Sequence, residues 1–233
     1  MTRPNFDPHA MPVVSAGAGD PIGEALLVPE RLREIFRAPA PWQPEVSGDT
    51  RFQSSRESMP AAVLIPLVLR PQGLTVLLTQ RTAHLTDHGG QISFPGGRAE
   101  RADASRVETA LRETREEVGL PPSRVEVLGQ LPEYRTITGY VVTPVVGLVI
   151  PPHDDEWQLD QFEVAHIIEP PLAFLMNPAN HERRQIDWRE GDEVLSRHFY
   201  SMPWEQGGVQ HFVWGATAAM IRNLYAFLAA QSL

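Results

Sequence analysis

The hydrophobic pattern of the chain changes character near Ala61. Before it, prolines at positions 4, 8, 12, 21, 29, 39, 41 and 44 interrupt every apolar run, except around Pro29 to Arg37, where a leading proline suits a first helical turn. The pattern predicts an irregular N-terminal arm over residues 1–60 with one short helix. From Ala61 the runs Ala62–Leu69 and Leu74–Thr79 are aliphatic and β-branched, and they flank Pro71-Gln72-Gly73. That arrangement predicts two core strands joined by a hairpin. A glycine-rich loop follows, then a helix from about Ser105 to Val118. Further strands are predicted near Val125–Leu128, Tyr140–Ile150 and Glu163–Ile168. Between Trp214 and Leu228, Ile221, Leu224, Tyr225 and Leu228 recur at helical spacing, so one stripe of a last helix is expected to face the core. Mixed strands and helices in this order predict an α/β sandwich, with one domain over residues 61–233.

The helix beginning at Ser105 is the most informative stretch. Ser105 and Glu108 have capping-box spacing, and Gly119 supplies a stop. At about 100° per residue, Val107, Leu111, Thr114 and Val118 form the expected core stripe, while Glu113, Glu116 and Glu117 share the other side. Like charges at these spacings cost roughly 0.2–0.5 kcal/mol per pair. A divalent cation would turn that repulsion into binding, since hard ions take oxygen ligands and share them with substrate phosphates. A solvated acidic face, paired locally with Arg112 and Arg115, is the other reading of the same string. Upstream, Gly96 and Gly97 in Phe94-Pro95-Gly96-Gly97 either make a simple turn or bring backbone close to a ligand.

Charge and composition narrow the chemistry. With 29 acidic and 20 basic side chains and a net charge of −9, the chain has no general field to gather nucleic acid or an anionic membrane. A polyanionic small molecule would need a metal or a few arginines. The absence of cysteine excludes disulfides, thiolate metal sites and a thiol nucleophile. Neither a leader-like N-terminus nor a run of about 20 apolar residues is present, so the expected location is cytoplasmic. Homodimerisation is left open.

Gly97, Asp103, Arg112, Glu113, Glu116, Glu117, Gly119 and Leu120 together resemble the Nudix box. Asp103 stands where that pattern has Glu, eight residues rather than seven before Arg112, and Thr114 replaces an aliphatic residue. Leu77-Leu78-Thr79-Gln80-Arg81, followed by Gly90 and Phe94-Pro95-Gly96-Gly97, is similar to the signature of the coenzyme A pyrophosphatases within that family. Thr82 and Thr86 differ from that signature. Further agreement runs to Trp214-Gly215-Ala216-Thr217, so the resemblance covers roughly residues 60–228.

The resemblance implies a Nudix-type α/β/α sandwich around a mixed sheet. It implies hydrolysis of the diphosphate of coenzyme A or acyl-coenzyme A to 4′-phosphopantetheine, or its acyl derivative, and adenosine 3′,5′-bisphosphate. Glu113, Glu116 and Glu117 would hold Mg²⁺ or Mn²⁺, with the Gly96 carbonyl as a further ligand and Arg112 orienting the glutamates. Glu113 is the first candidate for general base, with Glu163 or Glu133 as the alternative base or as support. Arg81, Gly90, Phe94 and Gly97 are the expected substrate contacts, although Arg81 could equally bridge to the helix carboxylates. His84 and His88 flank the glycine loop as further metal or phosphate candidates, beside the plainer reading of solvated loop histidines. Alternatives are a Nudix pyrophosphatase for ADP-ribose, NADH or a dinucleotide, and a non-catalytic nucleotide-binding module.

Overall fold

The computed structural model describes residues 6–48, 58–83, 89–149, 157–191 and 193–231. Strand β1 (Val13–Ala16) and helix α1 (Pro29–Arg37) come from the arm. Next in the chain are β2 (Met59–Arg70), β3 (Gly73–Val76), β4 (Leu78–Arg81), β5 (Ile92–Ser93) and β6 (Gly96–Arg98). Helix α2 (Arg106–Val118) precedes β7 (Val125–Gln130), β8 (Tyr134–Arg135), β9 (Tyr140–Val149) and β10 (Val164–Ile168). A short α3 (Leu172–Leu175), the strands β11 (Glu182–Glu190), β12 (Glu193–Gln206) and β13 (Val209–Trp214), and α4 (Gly215–Ala229) complete the order.

The central sheet runs β3-β2-β9-β7, with β6 also on β2 and β8 on β9. The pairing β2–β9 is parallel and the others are antiparallel, so the sheet is mixed. Because strand side chains alternate in face, β2 splits its residues cleanly. Ala62, Leu64 and Val68 join Val145 and Val149 of β9 in a cluster under Ala110 and Val118 of α2. Ala61, Ile65 and Leu67 join Val146 and Leu148 in the larger cluster, with Leu32 and Ile35 of α1 and the apolar residues of α4. Helices thus cover both faces of the sheet, which is the α/β/α sandwich expected from the sequence.

Three elements differ from the sequence expectation. The run Leu74–Thr79 is two strands: Leu77 N–H still donates to the Pro66 carbonyl (3.1 Å), but proline has no N–H to return, the ladder stops there, and β4 leaves for a second sheet, β10-β4-β5. A third sheet, β1-β11-β12-β13, occupies a region where no strands were expected. Its β12–β13 hairpin turns at Gly207-Gly208, both with positive φ (59° and 82°), as a two-residue turn between right-twisted strands requires. Finally, α4 buries nearly its whole circumference, Arg222 and Asn223 included, where one stripe was expected.

The arm explains that burial. Asn223 exchanges two hydrogen bonds with the Val46 backbone (3.0 and 2.7 Å), and the Tyr225 hydroxyl donates to the Asp20 carbonyl (2.9 Å). Arg222, 3% exposed, donates to Glu45 (2.6 Å), to the Ala18 carbonyl (2.7 Å) and to Nδ1 of His181 (3.2 Å). Its guanidinium also lies over the rings of Tyr225 (4.5 Å) and Tyr200 (5.5 Å). Among the described residues, no helix is long and apolar enough to cross a membrane.

Candidate active site

Helix α2 is fixed at both ends by its own sequence. The Ser105 hydroxyl accepts from Glu108 N–H (3.1 Å), and the Glu108 carboxylate accepts from Ala104 N–H (2.6 Å). Gly119 closes the helix at φ 73°, a left-handed position that glycine takes without strain. Ala110, Thr114 and Val118 are buried against the sheet, with Val107 and Leu111 packed beside them. One turn apart on the flank of that stripe, Glu113 is half-buried and Glu117 is only 5% exposed.

Both carboxylates meet the glycine turn. At Gly96 (φ 149°) a Cβ would fall on the Ala62 carbonyl oxygen and the Val63 Cα, so no larger residue fits where β6 pairs with β2. At Gly97 a Cβ would come 2.5–2.8 Å from the carboxylate atoms of Glu113. The missing side chains are therefore the space in which Glu113 sits. Gly96 N–H donates to Glu117 Oε2 at 3.3 Å.

Glu117 is short of positive charge. Among the described residues its ion-pair partner is Arg81, whose guanidinium stands 3.9 Å from Glu117 Oε1 and also 3.9 Å from Glu163 Oε2. Burial is the main cause that pushes the Glu117 carboxyl up, to about 8, and the charges of Glu163 and Glu113 push the same way. The Gly96 N–H and Arg81 offset it only in part. Glu113 is raised too, again chiefly by burial, with Arg112 opposing and Glu116 and Glu163 adding to the rise. Oxygen donors in a pocket that disfavours their own charge are a set that a hard divalent cation fits.

Arg112 organises the other half of the helix. It grips Asp103 with two hydrogen bonds (2.9 and 3.0 Å), and it also donates to Glu113 (2.9 Å), Glu116 (3.0 Å) and the Arg98 carbonyl (3.2 Å). Asp103, whose side chain is 3% exposed, accepts from Thr109 (2.9 Å) and Glu100 N–H (2.8 Å) as well. Arg112 holds its carboxyl far below the ordinary range. The three helix glutamates are therefore divided: Glu113 and Glu117 lie at the turn, while Glu116 is largely exposed on the Arg112 side. As the side chains stand, no three metal-binding groups among the described residues converge on one point.

The remaining expected residues separate clearly. Glu163 is brought beside Arg81, and its charge is felt by both Glu113 and Glu117. Gly90 (φ 76°) closes the loop, donating to the Arg81 carbonyl at 3.1 Å and accepting from Gln80 at 3.2 Å. Phe94 requires a correction as a substrate contact: it is 2% exposed and belongs to the larger core cluster, so its side chain is taken up by the core. Glu133 is exposed between β7 and β8, and no hydrogen bond or ion pair among the described residues joins it to α2. His84, Thr86 and His88 lie outside the described residues. Arg98 and Arg101, which the sequence reading passed over, line a cleft with Ala99, Glu100 and Glu113. Arg98 follows directly on Gly97 and Arg101 comes three residues later, positions that could have drawn notice in a chain of net negative charge.

The NUDIX domain pattern matches residues 59–204, more than half of the chain and all of the glycine turn and α2. This chain belongs to the Nudix family. The Escherichia coli K12 protein described as "uncharacterized Nudix hydrolase NudL" is 47% identical over 178 residues, which is 75% of this chain and 86% of that protein. Among solved structures, the Nudix hydrolase RenU of M. smegmatis is 24% identical at a TM-score of 0.41, covering 49% of this chain and 71% of its own. A C. elegans Ap4A hydrolase in a binary complex is 21% identical at 0.41, covering 52% and 85%. The assignment rests on the sequence match, since TM-scores of this size carry none of it. As a Nudix hydrolase, the protein acts on the pyrophosphate bond of a pyrophosphate-containing substrate, and hydrolases of this family generally use divalent metal ions.

Proposed function

We propose that the protein hydrolyses the diphosphate bond of coenzyme A or acyl-coenzyme A. The products are 4′-phosphopantetheine, or its acyl derivative, and adenosine 3′,5′-bisphosphate. The observation that carries the catalytic reading is Glu117: a carboxyl buried at a glycine turn and pushed up to about 8, chiefly by that burial, which the Gly96 N–H and Arg81 offset only in part. The substrate reading is supported by the run Leu77–Arg81 with Gly90 and Pro95-Gly96-Gly97, which is similar to the coenzyme A pyrophosphatases.

In this proposal Glu113, Glu116, Glu117 and the Gly96 carbonyl are the groups that would hold Mg²⁺ or Mn²⁺. The ion, when bound, supplies charge neutralisation for the diphosphate oxygens and acidifies a water. The chain's own residues do the positioning. Arg112, locked to Asp103, keeps Glu113 and Glu116 in place. Gly97 leaves room for Glu113, whose raised carboxyl is the first choice to take the proton from the attacking water. Glu163, beside Arg81, is the second. Water adds to one phosphorus, and the P–O bond to the bridging oxygen breaks. Arg81 is poised to move from its long contacts with Glu117 and Glu163 to a phosphate oxygen. The cytoplasm, where free coenzyme A derivatives would be met, is the location that accompanies this proposal.

Side-by-side hydrolysis of coenzyme A, ADP-ribose and NADH with Mg²⁺ or Mn²⁺ tests the reading. Coenzyme A should be the best substrate, and Glu117→Gln should lower its turnover by on the order of 10²-fold or more. Preference for ADP-ribose or NADH would overturn the substrate, and near wild-type turnover of the variant would remove Glu117 from the mechanism.

A further inference from the structure

Of the arginines near the turn and α2, Arg112, Arg81, Arg98 and Arg101 differ in their engagements. Arg112 is committed to Asp103, Glu113, Glu116 and the Arg98 carbonyl. Arg81 lies between Glu117 and Glu163. Arg98 and Arg101 are exposed, and among the described residues neither forms an ion pair. Both line the cleft that ends at Glu113, a space of about 460 Å³.

The loop that presents these two arginines is tied down. Ala99 N–H donates to the Pro60 carbonyl (3.0 Å), the Arg98 carbonyl accepts from Arg112 (3.2 Å), and Glu100 N–H donates to the Asp103 carboxylate (2.8 Å). Asp103 is itself held by Arg112, so the Asp that departs from the Nudix box fastens this loop to α2. A loop so fastened presents its side chains with little ordering left to do on binding.

We propose that Arg98 and Arg101 bind a phosphate of the substrate other than the two being parted, namely the phosphate monoester on the ribose of coenzyme A. This rests on the coenzyme A reading above. Planar guanidinium groups suit a dianionic phosphate monoester, which accepts paired, charge-assisted hydrogen bonds. The net charge of −9 makes an unpaired basic pair beside Glu113 the place where such an anion is attracted and not repelled. Glu100 shares the cleft but stands exposed at its rim, where solvent screens it.

The test compares coenzyme A with dephospho-coenzyme A in the wild type and in Arg98→Gln/Arg101→Gln. The wild type should favour coenzyme A by about 10–100-fold in kcat/KM, the scale of one or two charge-assisted contacts. The double variant should lose most of that preference through a higher KM for coenzyme A, with kcat and the dephospho-coenzyme A reaction changed less than about threefold. A preference that survives the double substitution, or equal loss on both substrates, would overturn the assignment. Should the wild type hydrolyse neither compound, the coenzyme A reading fails, and calorimetry with adenosine 3′,5′-bisphosphate against AMP decides the arginine pair alone. Tighter binding of the bisphosphate that disappears in the variant supports the pair, and equal binding of both nucleotides sinks it.

Discussion

Among the buried ionisable groups of the described residues, Arg222 and Glu117 are treated in opposite ways. Arg222 on α4 is surrounded by Glu45, the Ala18 carbonyl, His181 and two tyrosine rings. Glu117 on α2 has one 3.3 Å hydrogen bond and one 3.9 Å ion pair, with two further carboxylates close enough to oppose its charge. The first arrangement completes itself within the chain and clamps the arm to the last helix. The second is incomplete until something positive arrives. A buried charge that the fold satisfies is architecture, whereas one that the fold leaves wanting marks where a ligand belongs.

The contrast can be broken at the clamp first, where the largest effects are expected. Removing the Glu45 carboxylate leaves Arg222 buried without its anion, so Glu45→Ala should lower unfolding free energy by about 3 kcal/mol. Urea denaturation checks this, and hydrolysis by the folded protein should stay within about twofold. A loss below about 1 kcal/mol would mean that the clamp is not structural.

The same clamp should respond to acid. His181 is fully buried, and its Nε2 must donate to the Leu175 carbonyl (2.7 Å), which leaves Nδ1 as acceptor for Arg222. Burial first, and the Arg222 charge after it, pull its pKa down to about 4. The folded state therefore holds the neutral ring, and this stability is fully present above the unfolded value of about 6.5. It is lost as pH falls from about 6.5 toward 4, by about 3 kcal/mol in total. Urea midpoints measured across that range in Glu117→Gln, which removes the raised carboxyl whose protonation would oppose the trend, should fall accordingly, and midpoints that stay level there would contradict the buried neutral ring assigned here.

At the other region, the glycine turn separates function from stability. Gly97→Ala places a methyl group against the mobile end of Glu113, so the fold should survive with a melting temperature within a few degrees of wild type. Displacing that carboxylate by about 1 Å should lower kcat/KM by roughly 10²-fold. Loss of the fold instead would show that the turn is as structural as the clamp.

What could be read from the sequence follows the same division. Helix α2 announced itself because caps, periodicity and carboxylate spacing are all local, and Ser105, Gly119 and the stripe from Val107 to Val118 act within a few residues of one another. Arg112 could be read as an organiser for the same reason. The arrangement of its partners could not, because Arg112 reaches Asp103, Glu113 and Glu116 together only where the 98–103 loop is tied. Phe94 was misplaced because a motif position gives the backbone turn and not the direction of the ring. The sheet from β11 to β13 was missed although Gly207-Gly208 is a hairpin signal, since its strands are rich in charge and alternate only weakly. The clamp on α4 was illegible because Arg222 pairs with Glu45, far away in a segment whose prolines suggested an irregular arm.

The most direct measurement is the thermal stability of wild type and Glu117→Gln at neutral pH, each in EDTA and in Mg²⁺. If Glu117 lacks the positive partner that a divalent ion provides, Mg²⁺ should raise the wild-type melting temperature by about 3 °C or more. The Gln variant should melt above wild type in EDTA and respond little to Mg²⁺. A variant that melts below wild type without metal, or gains as much from Mg²⁺, would contradict this.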